Sequence, residues 1–129
     1  MSFVNRAYLW WMKKIYYLST CDTCRAIIKR LGGLEDFVKQ DIKTELITPT
    51  QLKEMKAMAG SYEALFSRRA IKYKTMNLKD QLLTENDYKK LIVEEYTFLK
   101  RPVIINNNEI FIGNEEKTIV AAENAIKKK

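Results

Sequence analysis

Cys21 and Cys24 are the only cysteines in the chain, and they frame the run Cys21-Asp22-Thr23-Cys24. Two thiols three positions apart can close a local disulfide. Before them, Lys14-Ile15-Tyr16-Tyr17-Leu18-Ser19 reads as a strand; after them, Arg25-Ala26-Ile27-Ile28-Lys29-Arg30-Leu31 reads as a helix. Cys21 then falls at a helix N-terminus, where the macrodipole and unpaired backbone N–H groups favour a thiolate. Arg25, one turn on, adds a cation expected to favour it further. Cys24 falls one turn inside the helix, more shielded, and suits a resolving thiol that attacks a mixed disulfide on Cys21. The bland alternative is a chance pair of small buried residues. The strand-to-helix placement favours redox chemistry over it.

Other residues narrow the chemistry. The chain has no histidine, which removes Cys–His nucleophilic pairs and histidine metal ligands. Two thiolates are half of a four-thiolate zinc site, so no metal and no bound cofactor is expected. Arginine is scarce, six against seventeen lysines, which singles out Arg25, Arg68-Arg69 and Arg101. A guanidinium grips an oxyanion in a bidentate fork. For Arg68 the plain alternative, a solvent-facing side chain, is favoured. Arg101-Pro102 precedes a strand. Spacing alone favours an ordinary trans proline there, where the missing N–H costs nothing.

These residues need a scaffold, and the rest of the sequence supplies one. Gly32-Gly33 stops the first helix. Phe37 to Ile42 reads as a second strand. Thr48-Pro49-Thr50-Gln51 is a helix start with a capping box, followed by an apolar stripe of Leu52, Met55, Met58 and Ala59. Gly60-Ser61 breaks that helix, and Tyr62 to Phe66 begins a short helical piece. Thr84 caps a further helix with Asp87 at the reciprocal position and Tyr88, Leu91 and Ile92 facing inward. Pro102 to Ile105 and Glu109 to Ile112 read as a hairpin turning at Asn106-Asn107-Asn108. A last helix runs from about Glu115, with Ile119, Val120, Ala122 and Ile126 as its stripe. The order is β-α-β, a helical insertion, then β-β-α. That predicts an α/β fold: a mixed sheet with helices on both faces.

Bulk properties bound the class. The chain has 129 residues, enough for one domain with its own core. With 47% apolar and 30% charged residues it reads as a globular protein. No apolar run is long enough to span a bilayer, and no secretory signal is evident, so no membrane association and a cytoplasmic location are expected. The net charge of +7 comes from scattered lysines, with Lys127-Lys128-Lys129 as the one run. A solvated basic surface is favoured over a direct nucleic-acid site, and anionic substrates or acidic partners suit it. Residues 1–11 look unlike the rest and read as an N-terminal extension, with Met12 a candidate native start. Residues 12–129 form the single domain.

Taken together, three segments resemble the glutaredoxin-linked arsenate reductase and Spx regulator family, with its thioredoxin-like fold. They are Tyr17 to Arg25, Leu65-Phe66-Ser67-Arg68-Arg69 with Tyr73, and Leu99-Lys100-Arg101-Pro102-Val103-Ile104. The resemblance covers roughly Lys13 to Ile126. It implies that Cys21 is the catalytic cysteine, that Arg69 and Arg101 bind an oxyanion, and that Pro102 is a structural cis-proline. It implies glutathione with glutaredoxin, or thioredoxin, as electron donor. The family's third arginine falls where this chain has Ile112-Gly113-Asn114, and Asn114 carries no charge. Cys24 is a second departure from the glutathione-dependent reductases. It permits an internal disulfide, as in the Spx-like regulators, which bind RNA polymerase. Two readings follow: a thiol-dependent reductase acting on arsenate or a disulfide, and a redox-sensing regulator. The reductase is favoured.

Overall fold

The first strand, β1 (Lys13–Tyr17), sits inside a four-stranded sheet of order β2-β1-β3-β4. Its partners are β2 (Val38–Asp41), parallel, and β3 (Val103–Asn106), antiparallel; β4 (Glu109–Ile112) pairs antiparallel with β3. In this computed structural model, residues 12–127 are described. The proposed extension, residues 1–11, lies outside them. The described chain divides into two compact units: residues 12–45 with 101–127, and Leu46–Lys100. The expected helical insertion is the second of these.

The parallel β1–β2 pair needs a crossover, and α1 (Asp22–Arg30) provides it. Helix α1 stops as the glycines predict. Gly33 N–H donates to Ile28 C=O at 2.8 Å and Gly32 N–H to Lys29 C=O at 3.1 Å, the two bonds of a Schellman cap. Both glycines have positive φ, which a β-carbon would strain. The final helix, α5 (Glu116–Lys127), follows the hairpin.

Register decides where the core sits. Ile15 lies opposite Ile104, and Ile104 opposite Phe111, so the three share one sheet face. On that face they meet Ile27 and Leu31 of α1, Leu34 and Phe37 of the following loop, and Ile119 and Ala122 of α5. The two helices of this unit therefore cover the same face, not one face each. Tyr16, Val103 and Ile105 point to the other face and are also buried. Outside the core, Arg30 clamps Glu116 with both guanidinium nitrogens, at 2.9 and 2.8 Å, tying the end of α1 to the start of α5. Val120, expected in the α5 stripe, is exposed, whereas Ile119 and Ala122 are buried.

The helices of the chain's middle section lie in the Leu46–Lys100 unit, joined by turns and loops. In α2 (Pro49–Ala59), Thr48 and Gln51 form both bonds of the capping box. In α4 (Glu85–Glu94), Thr84 and Asp87 do the same. Between them, α3 (Ile71–Thr75) and 3-10 turns at Glu63–Leu65 and Leu78–Asp80 fill a stretch only partly legible in the sequence. A third 3-10 turn, Tyr96–Phe98, leads to Leu99, which bridges Phe66. Phe66 packs at this unit's centre, with ring centroids 4.9 Å from Tyr88 and 5.0 Å from Phe98. Among the described residues, no helix is long and apolar enough to cross a membrane.

Candidate functional site

Cys21 occupies the N-cap of α1, with extended backbone angles φ −94° and ψ 116°. Its carbonyl accepts the first helical bond, from Arg25 N–H at 3.1 Å, and its own N–H donates to Leu18 C=O at 3.1 Å. The position that Thr48 and Thr84 fill on their helices is here filled by a thiol, whose side chain makes no capping hydrogen bond. Cys21 is partly exposed and Cys24 has no accessible surface. The two thiols are unlinked.

Their surroundings push them in opposite directions. Partial burial of Cys21 opposes ionisation, but the backbone N–H of Cys24, the Cys24 thiol, the backbone N–H of Thr23 and the charge of Arg101 together outweigh it. The net effect lowers the Cys21 pKa. Burial raises Cys24 to about 11, against the opposing Leu18 backbone, with the neighbouring Cys21 charge adding to the rise. The partly exposed Cys21 sulfur is biased toward the thiolate, and the buried Cys24 sulfur is held as a neutral thiol.

Arg101 is brought to this site by the start of β3, and its peptide bond to Pro102 is cis. Spacing alone favoured trans. Pro102 is buried, and its carbonyl accepts from Gly113 N–H at 2.9 Å. That bond holds the loop after β4 against the start of β3. Gly113 has φ 90°, a left-handed conformation that suits glycine. Asn114, next in that loop, is exposed and uncharged.

Arg25, one turn on from Cys21, is held by its neighbours. Its guanidinium donates to Ser19 C=O at 2.6 Å and to the carboxylate of Asp22. The cation that acts on the Cys21 sulfur is Arg101. Arg69 belongs to the other unit, where it is exposed on the turn before α3 and its N–H donates to Ser67 Oγ at 3.3 Å. Arg68, beside it, pairs with Glu63 at 2.9 Å and donates to Tyr88 Oη at 3.0 Å. Among the described residues, no cluster of three or more histidine, cysteine, aspartate or glutamate side chains could hold a metal.

The sequence reading overlooked Ser19 and Asp41. Ser19 Oγ donates to Asp41, at the end of β2, whose second oxygen accepts from Lys43 N–H at 3.2 Å. The Ser19 hydrogen bond is the main cause holding the Asp41 carboxyl below its usual range. The position of Asp41 at the C-terminal end of a parallel strand, where sites of such sheets gather, was the available signal.

Two cysteines at a helix N-terminus, on a mixed β-α-β/β-β-α sheet with a cis-proline just before β3, define a thioredoxin-like fold. The ArsC family model matches residues 16–122, and the chain belongs to the ArsC family. It is similar to the Bacillus anthracis global transcriptional regulator Spx 2, 26% identical over 84% of each chain. It is also similar to the Bacillus subtilis regulatory protein MgsR, 24% identical over 76% of this chain and 79% of the relative. Among solved structures, an arsenate reductase from Vibrio cholerae superposes with a TM-score of 0.67 at 20% identity, covering 85% of this chain and 98% of that one. That likeness shows the shared fold.

Proposed function

We propose that this protein is a thiol-dependent oxidoreductase whose nucleophile is Cys21. The observation that supports this reading is the opposed tuning of two thiols one helical turn apart, one favoured as an anion and one held neutral near 11. The Cys21 thiolate attacks one sulfur of a disulfide, forming a mixed disulfide and releasing the other sulfur as a thiolate. Cys24 then gives up its proton and attacks the Cys21 sulfur. This closes the Cys21–Cys24 disulfide and releases the substrate as its second thiol. Two electrons leave the protein, and a dithiol donor such as thioredoxin, or glutathione with glutaredoxin, returns them. Arsenate fits an analogous sequence beside Arg101: Cys21 sulfur bonds to arsenic as a protonated arsenate oxygen leaves as water, and attack of Cys24 or glutathione on that sulfur closes a disulfide and passes two electrons to arsenic, releasing arsenite. The uncharged Asn114 favours a disulfide over arsenate.

A second reading, a redox-sensing regulator that binds RNA polymerase, draws on the curated relatives, which are Spx and MgsR regulators. In that case the Cys21–Cys24 disulfide is the switch and not a turnover intermediate.

The test measures reduction of arsenate and of a peptide disulfide, with each donor system supplied in turn, in wild type and Cys21→Ser. Turnover that disappears in Cys21→Ser supports the enzyme. No turnover with any donor, together with oxidant-dependent capture of the host polymerase, replaces it with the regulator.

A further inference from the structure

The segment that carries Cys21 out of β1 is gripped on both sides of a single residue, Ser19. Its hydroxyl donates to the Asp41 carboxylate and its carbonyl accepts from Arg25 Nη1 at 2.6 Å. Asp41 is itself anchored. Its second oxygen takes the Lys43 N–H, and its carbonyl accepts from Glu45 N–H at 2.8 Å and Thr44 N–H at 3.1 Å. Arg25 is anchored to Asp22, inside the cysteine motif. The Leu18 carbonyl, one residue before Ser19, receives the Cys21 N–H. The Ser19 backbone also hydrogen-bonds the Asp41 carboxylate, and Ile42 N–H donates to Tyr17 C=O at 2.9 Å at the end of β1, while Ser19 and Thr20 themselves are exposed.

We propose that Asp41 is a positioning residue: acting through Ser19, it fixes the loop so that the Cys21 sulfur stays against the backbone N–H groups of Thr23 and Cys24. The inference rests on Cys21 being the reactive thiol and concerns how its reactivity is secured. A thiolate gains from amide donors only while it lies close to them. A four-residue link whose middle two residues are exposed needs an external hold to keep that geometry. The titratable and charged groups facing Cys21 are the neutral Cys24 thiol and Arg101; the charged group facing Asp41 is Lys43, beside the Ser19 hydroxyl.

Two roles for Asp41 predict opposite signs. If Asp41 were only a nearby negative charge, Asp41→Ala would remove a repulsion and make Cys21 more reactive. If it positions the loop, Asp41→Ala frees Ser19 and makes Cys21 less reactive. Asp41→Asn keeps both contacts, since its oxygen can accept from Lys43 N–H and its amide can donate to Ser19 Oγ.

The experiment follows iodoacetamide alkylation of Cys21 against pH in wild type, Asp41→Asn, Asp41→Ala, Ser19→Ala and the double Ser19→Ala/Asp41→Ala variant, with thermal melts confirming folding. We expect Asp41→Ala and Ser19→Ala to react about three- to tenfold more slowly at neutral pH, with the profile displaced to higher pH. The double variant should be no slower than Asp41→Ala, because the Ser19 hydroxyl bond is already lost in it. Asp41→Asn should react as wild type does. Faster or unchanged alkylation in folded Asp41→Ala overturns the proposal. If the wild-type Cys21 reacts no faster than the thiol of the urea-unfolded chain, it is the reading of Cys21 as nucleophile that fails.

Discussion

In Cys21→Ser, Cys24 is the only thiol left, and its reactivity reads the environment built around it. Burial is the first cause that moves Cys24 from 9.0 to about 11, and burial survives the substitution. The part of the rise owed to the Cys21 charge is lost in the variant, and each unit that burial keeps cuts the thiolate fraction at pH 7.5 about tenfold. Exclusion of the reagent acts in the same direction, because Cys24 has no accessible surface. Global opening does not rescue the rate: at about 5 kcal/mol of stability, only one molecule in several thousand is unfolded at a time. Iodoacetamide labelling of Cys21→Ser, quantified by peptide mass at pH 7.5, should therefore run more than about tenfold slower in the native protein than in urea. In wild type under native conditions, Cys21 should be labelled and Cys24 spared. Native Cys24 reacting within a few-fold of its unfolded rate, with the circular dichroism spectrum intact, would refute the account of a buried neutral thiol.

Three further outcomes are expected. Because the folded state binds the Cys24 proton more tightly, its stabilisation is full below about pH 9 and fades as pH rises toward about 11; the urea midpoint gap between wild type and Cys24→Ala should narrow over that window. Ile104→Ala opens a cavity where β1, α1 and α5 meet and should cost about 2–5 kcal/mol by urea denaturation; a loss below about 1 kcal/mol would contradict the packing. Asn114→Arg supplies a guanidinium to the loop that Gly113 ties to Pro102. If arsenate is a substrate limited by the missing cation, the variant should raise arsenate turnover by roughly ten- to a hundredfold, since one charged hydrogen bond contributes about 1.5–3 kcal/mol.

What could be read from the sequence was what local chemistry decides. The capping boxes at Thr48 and Thr84, the stop at Gly32-Gly33 and the hairpin at Asn107-Asn108 each depend on residues within one turn of one another. The stretch from Ser67 to Leu83 gave no such signal: α3 is five residues long, has no buried side chain and starts without a side-chain cap. The shared helix face escaped because the crossover's side depends on the whole sheet, not on any one stripe. At the site, the helix N-terminus announced Cys21, but the partners of charges did not announce themselves. Arg25 is near Cys21 in sequence yet bonds Ser19 and Asp22, whereas Arg101 reaches the sulfur from eighty residues away. Side-chain direction is settled by which acceptors the fold brings near, and spacing does not record that.

Cys21 stands where a hydroxyl ordinarily closes a helix. Thr48 and Thr84 accept the backbone hydrogen bond at any pH, but a sulfur accepts strongly only when it is charged. The nine-residue α1 therefore starts without a side-chain cap, and ionisation of Cys21 would add one that acid, alkylation or oxidation removes. Its opening turn becomes a gauge of the sulfur's state. Hydrogen exchange at the Thr23 and Cys24 amides should slow as Cys21 ionises and quicken when it is blocked, so that chemistry at one atom is reported in the backbone beside it.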